Sequence, residues 1–125
     1  MKCHHILVIE DEADIRETLQ EMLELAGFHV FTAENGQEGL KLLKNVGEPC
    51  LILLDLMMPV MNGWEFLERL EKEHRHILVT IPVTVVSAVA DAVEAQNRYG
   101  CRVLKKPVRM EHLIELAGEH CEACG

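Results

Sequence analysis

The chain has 125 residues, 49% of them apolar and 26% charged, with a formal net charge of −9; a single folded domain with its own core is expected, not a disordered segment. Twelve Lys and Arg against 21 Asp and Glu argue against direct binding of nucleic acid, because neutralising phosphates takes clustered cations. No apolar run reaches membrane-spanning length, and Met1-Lys2-Cys3-His4-His5 leads into too short an apolar run for an export signal, so a cytoplasmic chain without membrane contact is expected.

One Trp, one Tyr and three Phe leave the core to aliphatic side chains. Ile6-Leu7-Val8-Ile9 is a short continuous apolar run, the pattern of a strand buried on both faces. Ile15, Leu19, Met22, Leu23 and Ala26 follow at helical spacing until Gly27, a helix stop. Phe28 to Ala33 reads as a second strand. After Asn35-Gly36, Leu40, Leu43 and Val46 share one helix face. Cys50 to Leu54 is a third strand, Pro59 and Gly63 mark a loop, and Trp64, Leu67 and Leu70 belong to a third helix. His74-Arg75-His76 reads as a solvated polar stretch. Ile81 to Val86 is a fourth strand, with Pro82 near its start, where a missing N–H is tolerated. Residues 91–98 predict a short fourth helix, Cys101 to Leu104 a fifth strand, and Met110, Leu113, Ile114 and Ala117 the buried stripe of a last helix. Five strands alternating with five helices imply an α/β fold with a parallel sheet covered on both faces.

The five cysteines, at 3, 50, 101, 121 and 124, are odd in number and unevenly spaced, which in a chain without an export signal predicts reduced thiols. Cys121-Glu122-Ala123-Cys124 has the gap of a metal or redox pair, but zinc needs four ligands on a held scaffold. A frayed tail over 119–125 with two thiols is the expectation.

In an open parallel sheet the ligand crevice lies beyond the carboxyl ends of the strands. Glu10 and Asp11 close the first strand, Asp55 the third, Ser87 the fourth and Lys105-Lys106 the fifth. An acid after a strand can simply cap the next helix, and Asp11 or Glu12 fits that use as well. Asp55 has no such reason to follow four aliphatic residues. Three clustered carboxylates cannot all ionise cheaply without a cation, and hard oxygen ligands suit Mg²⁺. One carboxylate can then attack phosphorus, while Lys106 and Ser87 supply a positive group and a donor for phosphoryl oxygens.

The segment Asp55-Leu56-Met57-Met58-Pro59-Val60-Met61-Asn62-Gly63 resembles the pattern D-x-x-M-P-x-M-D/N-G around the phosphoacceptor of response-regulator receiver domains in two-component signalling. Glu10-Asp11, Ser87-Ala88 and Lys106-Pro107 match the same family in order, and the resemblance runs from about Ile6 to about Gly118. It implies a flavodoxin-like (βα)5 doubly wound sheet of order 2-1-3-4-5, here one receiver domain over 1–125. It also implies that Asp55 accepts a phosphoryl group from a histidine kinase or phosphotransfer protein. Glu10, Asp11, Asp55 and the Met57 backbone carbonyl would hold Mg²⁺, and Ser87, Ala88 and Lys106 the phosphoryl group, with Pro107 in cis. The chain would be no enzyme beyond its own phosphorylation and dephosphorylation. It would signal to a downstream protein target, as a monomer or a homodimer.

Val103 stands where the family usually has Tyr or Phe, with Tyr99 four residues off register, and the segment between Ser87 and Lys106 looks short, which predicts a stunted fourth helix. Met57 and Val89, apolar beside the pocket, are expected to hinder the hydrolytic water and prolong the phosphorylated state. Two other enzyme-like or cofactor-binding readings fit poorly. An aspartyl phosphatase would carry a second Asp where Met57 stands, and an FMN binder would not place Glu10-Asp11-Glu12 against phosphate. The alternative is a receiver-shaped interaction module that works without phosphorylation.

Overall fold

A computed structural model describes residues 5–56, 62–87 and 89–122, with the backbone alone for 89–92. Met57, Met58, Met61, Ala88, the Val89 side chain, Cys3, His4 and Cys124 therefore lie outside the described residues.

The elements run β1 (His5–Ile9), α1 (Ala13–Leu25), β2 (His29–Ala33), α2 (Gly36–Val46), β3 (Leu51–Leu54), α3 (Gly63–Glu73), α4 (Arg75–Thr80), β4 (Val83–Ser87), α5 (Val89–Tyr99), β5 (Arg102–Lys105) and α6 (Met110–His120). The strands form one parallel sheet of order β2-β1-β3-β4-β5. The predicted fold class is observed. The aliphatic runs became the central strands because β1, β3 and β4 are covered on both faces, whereas edge strands β2 and β5 are half open.

Alternate side chains of each strand point to opposite faces and build two cores. Leu7, Ile9, Ile52, Leu54, Val83 and Val85 pack with Leu43, Phe66, Leu67, Leu70 and Ile77 from α2, α3 and α4. Ile6, Val8, Leu51, Leu53 and Val86 pack with Leu19 and Leu23 of α1 and Leu113, Leu116 and Ala117 of α6. Met110 sits at a helix end and stays exposed, against the buried stripe predicted for it, and Val46, at the end of α2, is exposed as well.

Three corrections follow from packing. The polar stretch at His74-Arg75-His76 opens a sixth helix, α4, whose Ile77 is buried on the first core; its charged start hides a single apolar turn. The fourth predicted helix is not stunted: α5 has 11 residues, as many as α2, α3 and α6, because no Gly or Pro interrupts it before Gly100 at φ 71°.

The third correction concerns the thiols. Cys50, just before β3, and Cys121, just after α6, form a disulfide with Cα atoms 5.5 Å apart, so these two are not reduced and 119–122 do not fray. Their separation of 71 residues hides the pair from spacing arguments; the fold brings the two ends together. By chain entropy a loop of that size is restrained by about 4 kcal/mol relative to the open unfolded chain. Cys101 is free and buried, as expected for a thiol.

The loop after β3 meets α3 at a close approach. Asn62 caps α3 by accepting from the Glu65 N–H at 3.0 Å, and Glu65 accepts from the Asn62 N–H at 3.3 Å. Gly63 donates its N–H to the Leu56 carbonyl at 3.0 Å. A Cβ on Gly63 would lie 2.6 Å from the Asp55 carbonyl oxygen and 2.6 Å from Leu56 Cα, so only glycine fits unless the backbone shifts. Gly63→Ala is expected to cost about 1–3 kcal/mol despite the better helix propensity of Ala, read as a Tm lower by several degrees; an unchanged Tm would show that the approach is looser than this.

Candidate functional site

The sheet ladder itself delivers the site. Glu10 donates its backbone N–H to Ala33 O at 3.0 Å, Asp55 to Ile9 O at 3.0 Å, and Lys106 to Ser87 O at 3.2 Å. Each candidate thus continues a strand by one bond, and all four strand ends open on the same rim. The order 2-1-3 reverses direction between β1 and β3, and the switch-point crevice lies where Glu10, Asp11 and Asp55 stand.

Side chains converge there. Glu10, Asp11 and Asp55 each offer a carboxylate oxygen, and these oxygens lie within 4.8 Å of one another. The Lys106 ammonium stands 3.3 Å from Glu10 Oε1 and 3.7 Å from Asp55 Oδ2. Glu10 and Asp55 are 1% and 5% exposed, Ser87 is buried, and Asp11 is half-buried. Ser87 joins the group through its backbone bond to Lys106. Lys106-Pro107 is a cis peptide bond, as the resemblance implied.

Capping does not explain the acids. Glu12 occupies the N-cap of α1, yet its side chain makes no cap bond. Glu10 Oε2 instead accepts the Glu12 N–H at 3.3 Å. The loop is also braced by a residue that sequence reasoning passed over: Arg16 donates from Nη1 to the carbonyls of Glu10 at 3.0 Å and Asp11 at 3.3 Å. An arginine one turn into the helix after an acidic loop was the available signal.

Burial first, and then the hydrogen bond and negative charge of Asp55, push Glu10 up from 4.5 to about 8; the Glu12 N–H and Lys106 pull the other way. Burial alone would lower Lys106, but the charges of Asp55 and Glu10 outweigh it and hold the ammonium above its usual range. The acids are too close to ionise together without added positive charge. The set fits a hard divalent cation: three carboxylates converge, and apart from the Lys106 ion pair the buried Glu10 Oε1 has no hydrogen-bond partner.

Other expectations fall elsewhere. Val103 is half-buried in β5, paired with Val85. Tyr99 ends α5 against Trp64, ring centroids 6.5 Å apart, with the Arg98 guanidinium 5.2 Å from its own ring centre, so it does not substitute for the aromatic missing at Val103. His74 and His76 join no metal-ligating group among the described residues. No helix there is long and apolar enough to cross a membrane.

Comparison with known proteins agrees with this geometry. Residues 6–117 match the response regulator receiver domain family. The uncharacterized transcriptional regulatory protein YkoG of Bacillus subtilis is 35% identical over 114 residues, 91% of this chain and 49% of that protein. The probable transcriptional regulator ycf27 of Cyanidium caldarium is 37% identical over 91 residues, 73% of this chain and 34% of that protein. The chain therefore spans between a third and a half of the length of these relatives. Among solved structures, the receiver domain of the Francisella response regulator 1452 superposes with a TM-score of 0.80 at 28% identity, covering 93% of this chain and 94% of that one. A CheY-like receiver domain protein from Methanospirillum hungatei gives 0.75 at 29% identity, covering 90% and 89%. With the match extending over nearly the whole sheet and its acidic rim, the chain belongs to the response regulator receiver domains of two-component signalling.

Proposed function

We propose that the chain is a phosphoacceptor switch, in which Asp55 takes a phosphoryl group from a histidine kinase or phosphotransfer protein in the cytoplasm and the change alters docking of a downstream protein target. The observation that carries this reading is the ammonium of Lys106 beside Asp55 and Glu10, at the end of a buried strand, with Asp11 alongside. Glu10, Asp11 and Asp55, with the Met57 carbonyl, are the residues to hold Mg²⁺. Bound there, Mg²⁺ supplies positive charge that offsets the repulsion between carboxylates and incoming phosphate.

An Asp55 carboxylate oxygen attacks phosphorus, the donor's P–N bond breaks, and its imidazole departs with the electron pair and takes up a proton. Lys106 pairs with the negative charge on the phosphoryl oxygens, and Ser87 and Ala88 hold them from the β4 side. Hydrolysis of the same aspartyl phosphate returns the domain to its start, so the chain catalyses only its own modification. The half-buried Val103, with Tyr99 packed away on Trp64, favours a second reading, an interaction module that needs no phosphate; the convergent charged site weighs against it.

Incubation with acetyl phosphate and Mg²⁺ separates the two. The intact mass is expected to rise by one phosphoryl group, not at all in Asp55→Asn or in EDTA, and at a rate lower by about 10²-fold or more in Lys106→Ala. A wild-type chain without the gain, or an Asp55→Asn variant with it, would falsify the switch.

The Glu10 carboxyl gives a second test. It titrates near 4.5 unfolded and about 8 folded, so the folded chain holds the extra proton between those values. The stability this contributes is complete below the lower value and is lost as pH rises through the upper one. In EDTA the wild-type Tm is expected to fall relative to Glu10→Gln across that range. Added Mg²⁺ at the alkaline end should raise the wild-type Tm more than that of the variant. Parallel curves for the two proteins would remove Glu10 from the charge balance.

A further inference from the structure

We propose that Cys50 and Cys121 form a reversible dithiol–disulfide site that exchanges with thiols of the glutathione class and so ties or frees the C-terminal end of α6. The bond joins the residue before β3 to the residue after α6, 71 residues apart in the chain. Disulfides in reducing compartments are rare and are mostly transient or redox-sensing; reversibility, unlike the bond itself, rests on the cytoplasmic reading above.

Both redox states fit the fold. With the bond open, the Cys50 thiol has an acceptor in place, since the His5 carbonyl oxygen lies 3.4 Å from Cys50 Sγ. The Cys50 backbone is held independently by its own N–H bond to the same oxygen at 2.9 Å. Cys121 is 8% exposed and belongs to the core on the α1–α6 face, where a thiol is a small apolar group. The body of α6 keeps its own anchors in Leu113, Leu116 and Ala117, and Arg102 still pairs with Glu119. Opening the bond therefore releases the last turn rather than the helix.

Access decides the chemistry. Cys50 is half-buried and the less covered of the two, Cys121 being 8% exposed, so an incoming thiolate attacks the Cys50 sulfur, the S–S bond breaks, and Cys121 leaves as thiolate and takes a proton. A second thiol then attacks the outer sulfur of the mixed disulfide, releasing the Cys50 thiol and the oxidised co-reactant: one protein disulfide and two thiols become two protein thiols and one small-molecule disulfide. The remaining described cysteine, Cys101, is 4% exposed, and burial pushes its thiol up to about 11, so it stays out of the exchange.

The test uses the whole chain equilibrated with stepped ratios of reduced and oxidised glutathione, acid-quenched, alkylated and mapped by peptide, with amide hydrogen exchange in parallel. Cys50 and Cys121 are expected to gain and lose label together and reversibly. Reduction should speed amide exchange at 118–122 by about tenfold or more while the amides of β1 and β3 keep their protection. Cys121→Ser should show the fast exchange in every buffer. A pair that stays closed in excess reduced glutathione, or open in oxidised glutathione, would overturn the proposal. So would a new pairing of either cysteine with Cys3 or Cys124, a uniform loss of protection across the sheet, or slow exchange at 118–122 in Cys121→Ser. The acetyl phosphate assay reads Asp55 alone, so the two readings fail separately.

Discussion

Like charges held close together are the constraint around which this domain is arranged. Three carboxylates gather within 4.8 Å at the end of a buried sheet, and one lysine ammonium reaches two of them. Water would normally dissipate such repulsion, but Glu10 and Asp55 are almost wholly buried. The protein answers with Lys106, with a Glu10 carboxyl that burial and Asp55 push toward its neutral form, and with the Glu12 N–H on Glu10 Oε2. A site of this kind is poised to accept positive charge, and its affinity for a cation grows from the same repulsion that weakens the empty fold.

That arrangement is possible because a parallel sheet puts every carboxyl end on one side. The ladder bonds of Glu10, Asp55 and Lys106 place their backbones before any side chain is chosen. The helices then divide the labour. α1 and α6 cover one face, α2 to α5 the other, and both cores are aliphatic and continuous with the strands. Arg16 links the two levels, being a helix residue whose guanidinium binds the carbonyls of the acidic loop.

Much of this was legible in the residues. Doubly covered strands read as unbroken aliphatic runs, so a charged or hydroxyl residue at the end of one, such as Asp55 or Ser87, stands out without any alignment. Edge strands and helix ends were harder: Val46 and Met110 fall on the right period but overhang the sheet. The α4 turn was hidden because six residues with a basic start carry too little periodicity. The Cys50–Cys121 pair was illegible in principle, since contacts 71 residues apart are set by how the chain returns to the foot of the sheet. Arg16 escaped for a related reason: its partners are backbone oxygens, and its place one turn into the helix after the acidic loop is a faint sign of them.

The meeting of Gly63 with Asp55 and Leu56 has a mechanical side. A helix start pressed against the peptide group of Asp55, with no side chain between and a hydrogen bond from Gly63 to Leu56, couples the two as a joint without slack. An aspartate backbone that shifts toward α3 meets the start of a helix whose Phe66, Leu67 and Leu70 are rooted in the interior, so the two have little room to move independently.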